Sequence, residues 1–511
     1  MRIPRFHFAS RRTLAGALFL IIPCNIGAQT VTPVTPGPTS ARTSAPAVVL
    51  RTVRVLDGTG SVLNNMDIEV AKGRIVAVRA ASGPLPPNGI DLRTLTVLPG
   101  LIDTHVHLGW YLNASNRLHQ SGDGDTPEIS AMNQVGNAWA TLRAGFTTVQ
   151  SLGESENGPL RDAINRGIIP GPRVITSLGS LNERTGGGTP DSLRTAVRRF
   201  KDRGADVIKI FASKSIRDGG EATMSDAQLE AACGEAKAVG LRSVVHAHSA
   251  EAVQRASRAG CTQVEHGVFA DDATRAMLVK NGTYFDPQCG LVFHNYLDNQ
   301  QWFEGIGNYN AAGFASMQKA LPLAAEGIGK ASSTPNLKLV FGTDAVAGAH
   351  GRNAEELVCR VREGKQSAMD AIRSATSRAA ESLALGKEIG RIAVGFAADI
   401  IATDGDPSEQ IEASGRVVFV TVADGKARPF ADRDGNGRWS AGDVALDGPV
   451  DGVTEGSGNA YLGLPRAMAP LAIAAGLVVA GELHLATTTR VDGPWSSATP
   501  VSYTHLTLPT N

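Results

Sequence analysis

The chain has 511 residues, 49 Lys+Arg against 49 Asp+Glu, zero formal net charge and 42% hydrophobic residues. That length supplies a large core and room for more than one structural unit. Balanced charge, with no basic block beyond the extreme N-terminus, argues against nucleic acid as a partner.

Residues 1–28 read as a secretory signal peptide: Arg2, Arg5, Arg11 and Arg12, then an apolar run over 14–22, then Ile26-Gly27-Ala28 before cleavage. The apolar run is too short to cross a bilayer, so no stable membrane span is expected. Cys24 follows Pro23, a poor fit to a lipobox. Residues 29–47, rich in Pro, Thr, Ser and Ala, suit a mobile linker. The expected location is periplasmic or secreted. Cys233, Cys261, Cys289 and Cys359 form no Cys-x-x-Cys motif and are sparse. Buried thiols are expected, with a single disulfide left open.

Residues 48–98 and 387–430 both read as short strands joined by turns, flanking the central segment 99–386. In that segment strands and helices alternate. Strands are expected over 147–150, 173–177, 206–212, 242–246, 263–266, 283–287 and 337–343, and helices over 133–144, 160–166, 191–203, 225–239, 250–259, 271–280 and 374–385. Repeated strand–helix alternation argues for an α/β fold with a parallel sheet, and the count fits a (β/α)8 TIM barrel.

Active sites of such barrels lie at the C-terminal ends of the strands. The first strand runs V-L-P-G-L-I-D-T-H-V-H-L and ends in His105 and His107, which share a face because strand residues two apart do. The fourth carries Lys209 in V-I-K-I-F, the fifth His246 and then His248, the sixth His266, and the eighth Asp344. Neutral imidazole is the commonest metal ligand. A set of imidazoles and a carboxylate on one barrel rim reads as a metal site. Lys209 among Val207, Ile208, Ile210 and Phe211 is costly to bury charged. Either its stem is buried and its head reaches solvent, or its amine is N-carboxylated by CO2 and bridges two cations.

These blocks, with V-V-H-A-H, V-E-H-G and F-G-T-D-A-V-A-G-A-H-G-R-N, resemble the binuclear branch of the amidohydrolase superfamily. The similarity is to its imidazolonepropionase-like, Xaa-Pro dipeptidase-like and ochratoxin-hydrolysing members. The resemblance spans roughly residues 48–426. It implies a small β-sandwich built from both flanks, and homo-oligomers. It implies two divalent cations, for which Zn2+ suits the ligands. His105, His107 and Asp344 would hold one and His246 and His266 the other, with carboxylated Lys209 and a hydroxide bridging. Asp344 would serve as general base, then acid. The implied substrate is a dipeptide or N-acyl amino acid with a free carboxylate, ochratoxin-like amides included. The alternatives are a cyclic-amide (lactam) hydrolase and a non-catalytic binding protein on the same fold. Two departures bear on specificity: Gln150-Ser151 where many relatives have Arg-Asp, and His248 where some dipeptidases have Tyr.

The insert 291–322 carries Phe293, His294, Tyr296, Trp302, Phe303, Tyr309 and Phe314 and follows the seventh strand, so it is expected to cap the site, either as a lid suited to an apolar side chain or as ordinary helix packing. His248, His294, His350 and Arg352 are candidate substrate contacts, Arg because its fork matches a carboxylate. Beyond 430 the composition changes. Asp432, Asp434, Asn436 and Asp443 follow a calcium-loop pattern with Asp at the last position, which makes Ca2+ a candidate there, against an ordinary polar turn. The apolar run 467–480 is short for a span, and the final V-S-Y-T-H-L-T-L-P-T-N resembles translated adapter sequence, so 431–511 is expected to be non-native at its end.

Overall fold

The alternating apolar runs form a (β/α)8 barrel in the computed structural model, which describes residues 47–422 and the backbone of the short strands Phe430–Ala431 and Val444–Ala445. The leader, most of the linker, the candidate calcium loop at Asp432, Asp434, Asn436 and Asp443, and the chain's end lie outside the described residues.

The barrel strands are Leu101–Val106, Phe146–Ser151, Arg173–Thr176, Val207–Phe211, Arg242–Ser249, Gln263–Phe269, Tyr284–Asp286 and Lys338–Leu339. The first three pair in one parallel sheet and the other five in a second, with Ser180–Leu181 at its edge. Single backbone bonds join them: Asp206 N to Thr176 O at 2.9 Å on one side, Thr104 N to Phe341 O at 2.9 Å and Asp344 N to His105 O at 2.7 Å on the other. Parallel strands under helices are buried on both faces, and every residue of Leu101–Val106 and Phe146–Ser151 is buried. Burying each Val, Ile or Leu there contributes roughly 1.5–3 kcal/mol. Several helices start where side-chain oxygens cap free N–H groups. Thr126, Thr189, Ser249 and Asp271 do so singly, and Ser225 with Gln228 forms a capping box.

The flanks make one β domain. Val48–Leu56 pairs with Val62–Ala71 and Thr96–Pro99, and Thr96–Pro99 pairs antiparallel with Ile400–Thr403 from the far end of the chain. The sheet curls back so that Arg74 bridges Ala397, around a core of Leu50, Ile68, Ile75, Val97, Ile400 and Phe419.

Three expectations need correction. The cysteines are not thiols: Cys233–Cys261 and Cys289–Cys359 are disulfides, with Cα atoms 5.1 and 5.9 Å apart. Sequence separations of 28 and 70 hid the pairing, which the fold creates. The eighth strand is only Lys338–Leu339. Beyond it Gly342 passes so close to Asp286 that a Cβ would lie 1.9 Å from Oδ2. The helix expected over 374–385 is two, Ala368–Ser374 and Ser377–Ser382. It breaks where the Ala375 carbonyl turns to accept Ile102 N–H of the first barrel strand at 2.8 Å.

Candidate metal centre and active site

The strand ends gather two donor sets. His105, His107 and Asp344 place ligand atoms within 4.8 Å of one another, and so do His246, His248 and His266. Asp344 Oδ1 lies 3.4 Å from His105 Nε2 and 3.1 Å from His107 Nε2. The sets adjoin, with the His105 and His266 rings 5.2 Å apart and those of His246 and His266 4.5 Å apart. Lys209 is 1% exposed, and its Nζ sits 3.1 Å from His105 Nε2. His266 and Asp344 have φ of 69° and 54°. Non-glycine residues held there carry strain that functional sites often store.

Burial sets the charge states. It lowers His105 and His248 to about 3, helped by the Lys209 charge at His105 and opposed by Asp344 at both. It holds His246 and His266 well below the usual range, with neighbouring imidazoles adding to it. These rings therefore carry the free lone pair a metal needs. Burial also lowers the Lys209 amine, against the pull of Glu265 and Asp344. His107 differs: burial opposes its charge, but Glu154 and Asp344 outweigh burial and raise it to about 9. A proton between two carboxylates occupies a place suited to a cation. Burial works to raise Asp344, yet His105 and the bond from His107 keep it below the usual carboxylate range.

A supporting shell was not anticipated from the sequence. Glu154 Oε1 lies 2.8 Å from His107 Nδ1. Glu265 Oε2 lies 3.0 Å from His105 Nδ1. Asp103 accepts from Thr343 and Asn353, tying the first strand to the loop after the eighth. Behind them Arg360, fully buried, pairs with Asp286 at 3.0 Å and Glu356 at 3.2 Å. Glu265 carried a legible signal, a carboxylate inside a buried strand just as Lys209 is a buried amine. Glu154 sits in a loop and carried none. Carboxylates behind ligating histidines fix tautomer and ring orientation.

Of the weaker candidates, His248 belongs with His246 and His266 as a third donor, and its Nδ1 is buried without a hydrogen-bond partner. His350 stands beside His107, lowered by burial to about 4. His294 is half-buried on the helix Leu291–Asp298. Arg352 does not offer a free fork: Nε and Nη2 bind Glu355 at 2.9 and 2.7 Å. Gln150 is buried and spans Thr104 O and Arg242, and Ser151 accepts Leu108 N–H, so both support strand ends. The insert's Phe293, Tyr296, Phe303, Tyr309 and Phe314 are buried in one cluster with Val346 and Ala347. Their aromatic character builds the cap's own core.

The residues fit divalent cations. Two sets of imidazole and carboxylate donors converge, every ring but His107 is held neutral, and a buried ring nitrogen stands unpartnered. A sequence model of the amidohydrolase family matches residues 96–428. The chain is 26% identical over 403 residues to the ochratoxinase of Aspergillus niger, covering 70% of this chain and 81% of that protein. It resembles a crystal structure of a Xaa-Pro dipeptidase with methionine bound in the active site, at 30% identity and TM-score 0.67, over 74% of this chain and 99% of that one. The crystal structure of A. niger ochratoxinase shares the fold at 21% identity and TM-score 0.64, over 76% and 96%. With the fold, the rim of donors and a family match over most of the chain in agreement, this protein belongs to the amidohydrolase family, hydrolases of carbon–nitrogen bonds.

Proposed function

We propose that the protein is a two-metal hydrolase of amide bonds in dipeptides or N-acyl amino acids with a free carboxylate, ochratoxin-like amides among them. The observation that carries this is the pairing of two donor sets across one buried lysine, with Asp344 reaching both His105 and His107. His105, His107 and Asp344 would hold one cation and His246 and His266 the other, with His248 as an additional donor. Zn2+ suits these ligands. When bound, such cations supply Lewis acidity to the scissile carbonyl and to the attacking water.

The chain's own residues do the rest. Asp344, kept ionised by its histidine neighbours, accepts a proton from the attacking water and returns it to the leaving amine. Glu154 holds the His107 ring in register, and Glu265 Oε2 stands 3.0 Å from His105 Nδ1. Lys209, desolvated and so readily neutral, would take up CO2 as a carbamate: its Nζ attacks the carbon, an N–C bond forms as one C=O π pair moves onto oxygen, and the proton on nitrogen passes to water. A similar structure supports the substrate class: a Xaa-Pro dipeptidase that holds methionine, an amino acid, in its active site. Export through the N-terminal leader is part of the same reading, supported by two disulfides that suit an oxidising compartment.

The test is amine release by zinc-loaded protein from a panel of N-acyl amino acids, dipeptides, their C-terminal amides, and lactams. Release that depends on the free carboxylate is expected, and Asp344→Asn should lower kcat by roughly 10²–10⁴-fold. Turnover of lactams alone would move the protein to cyclic-amide chemistry. His246→Asn that folds and binds ligand but turns nothing over distinguishes an enzyme from a binding protein.

A further inference from the structure

The loop after the fourth strand lies directly on the second donor set. The Lys214 carbonyl is 3.4 Å from His246 Nε2, and the Gly220 carbonyl accepts Ser249 N–H at 3.2 Å. Between them Arg217 leaves the barrel and meets the cap. Its Nε donates to Asn308 Oδ1 at 2.6 Å, and its guanidinium carbon stands 4.0 Å from the Tyr309 ring centroid and 5.6 Å from that of Tyr296. Asn308 in turn donates to Asp218, which fixes the junction. The guanidinium carbon lies over the Tyr309 ring and Nε is used, while Nη1 and Nη2 have no hydrogen bond or ion pair among the described residues. Arg352, by contrast, is neutralised by Glu355.

Arg217 is close enough to the donor sets to matter. Its charge reaches His248, and Tyr296 and Tyr309 feel both Arg217 and Asp344. The same apolar cluster runs from Ile216 through Tyr296 and Tyr309 to Trp110, whose ring is 5.6 Å from that of His107. Arg217 therefore stands beside the apolar cluster that reaches the first donor set at Trp110. A guanidinium held over a ring with two free N–H edges matches a carboxylate in geometry and charge, and being held leaves it little entropy to lose on binding.

We infer that Arg217, clamped between the cap and the fourth-strand loop, is the residue that binds the substrate's terminal carboxylate and so sets the preference for acids over amides. This rests on the free-carboxylate reading above. It adds the cap to specificity, because Asn308 and Tyr309 hold Arg217 in place.

The experiment compares L-methionine with L-methioninamide as ligands in calorimetry, and N-acetyl-L-phenylalanine with its amide as substrates, for wild type, Arg217→Met and Arg217→Lys. The readout is the acid-to-amide ratio within each protein, so a general loss of folding cancels. Wild type should prefer the acid, and Arg217→Met should cut the ratio roughly 10- to 100-fold, the worth of a charge-assisted hydrogen-bonded pair. Arg217→Lys, which keeps the charge and loses the fork, should fall between. A wild-type preference that Arg217→Met retains overturns the role of Arg217 and leaves the carboxylate reading standing. A wild type indifferent to acid or amide overturns that reading and this inference with it.

Discussion

Glu154 offers the sharpest test of the supporting shell. Its carboxylate is 2.8 Å from His107 Nδ1, and the two side chains are 13% and 11% exposed, so the bond is charge-assisted and little screened. Such a bond is worth roughly 1.5–3 kcal/mol, which equals about a 10- to 100-fold change in metal affinity, the usual range for a partner behind a ligating histidine. A second effect opposes it. Glu154 also helps raise His107 to about 9, and displacing that proton at pH 7 costs about 2.7 kcal/mol of metal binding. Glu154→Ala removes part of this cost along with the orienting bond. The deficit should therefore be modest at pH 7, about 10-fold, and grow toward about 100-fold at pH 9, where only about half the His107 rings still hold the proton. Glu154→Gln, which keeps an acceptor without the charge, should lose less. Competition with a chromophoric zinc chelator at both pH values measures this. Zinc affinity in Glu154→Ala within about twofold of wild type at both pH values would refute the reasoning. Gly109→Ala should mimic the defect, because its Cβ would fall 2.7 Å from Glu154 Cγ.

Arg360→Met should destabilise the fold by about 3–5 kcal/mol, because it strands Asp286 and Glu356 as buried carboxylates; an unchanged melting temperature would count against the pairing. Reducing the disulfides should cost roughly 4 kcal/mol each on chain-entropy grounds, given separations of 28 and 70; thermal melts with and without reductant read this out. The metal-free protein should lose stability as pH falls below about 6.5. The unfolded chain then binds protons that His105, His246, His248 and His266 refuse in the fold, each worth about 1.4 kcal/mol per pH unit. Glu265 and Asp103, raised by burial to about 7, and Asp286 and Glu356, raised by the same cause, take up protons in the fold as the pH drops toward the ordinary carboxylate range and offset part of the loss. Urea midpoints at pH 7 and 5 should therefore fall on acidification; a rise would show that the carboxylates dominate.

The sequence by itself marked the barrel and most of the candidate donor residues, because both follow local periods. Alternation along a strand puts His105 and His107 on one face, and an apolar run around Lys209 forces an amine into a buried strand. The helix start at Ser225 was legible for the same reason: a cap bonds to its own next turn. Only the tertiary structure decided what lies across space. His248 joined the donor set because the fifth and sixth strands lie side by side, with Ala247 opposite His266. Glu154 reaches His107 from a loop 47 residues on, and Arg360 reaches Asp286 across 74. The cysteines paired, Arg352 was claimed by Glu355, and Arg217 was left free because loops of no fixed period landed where barrel closure put them. Loop placement is set by the packing of the whole, so no local pattern records it.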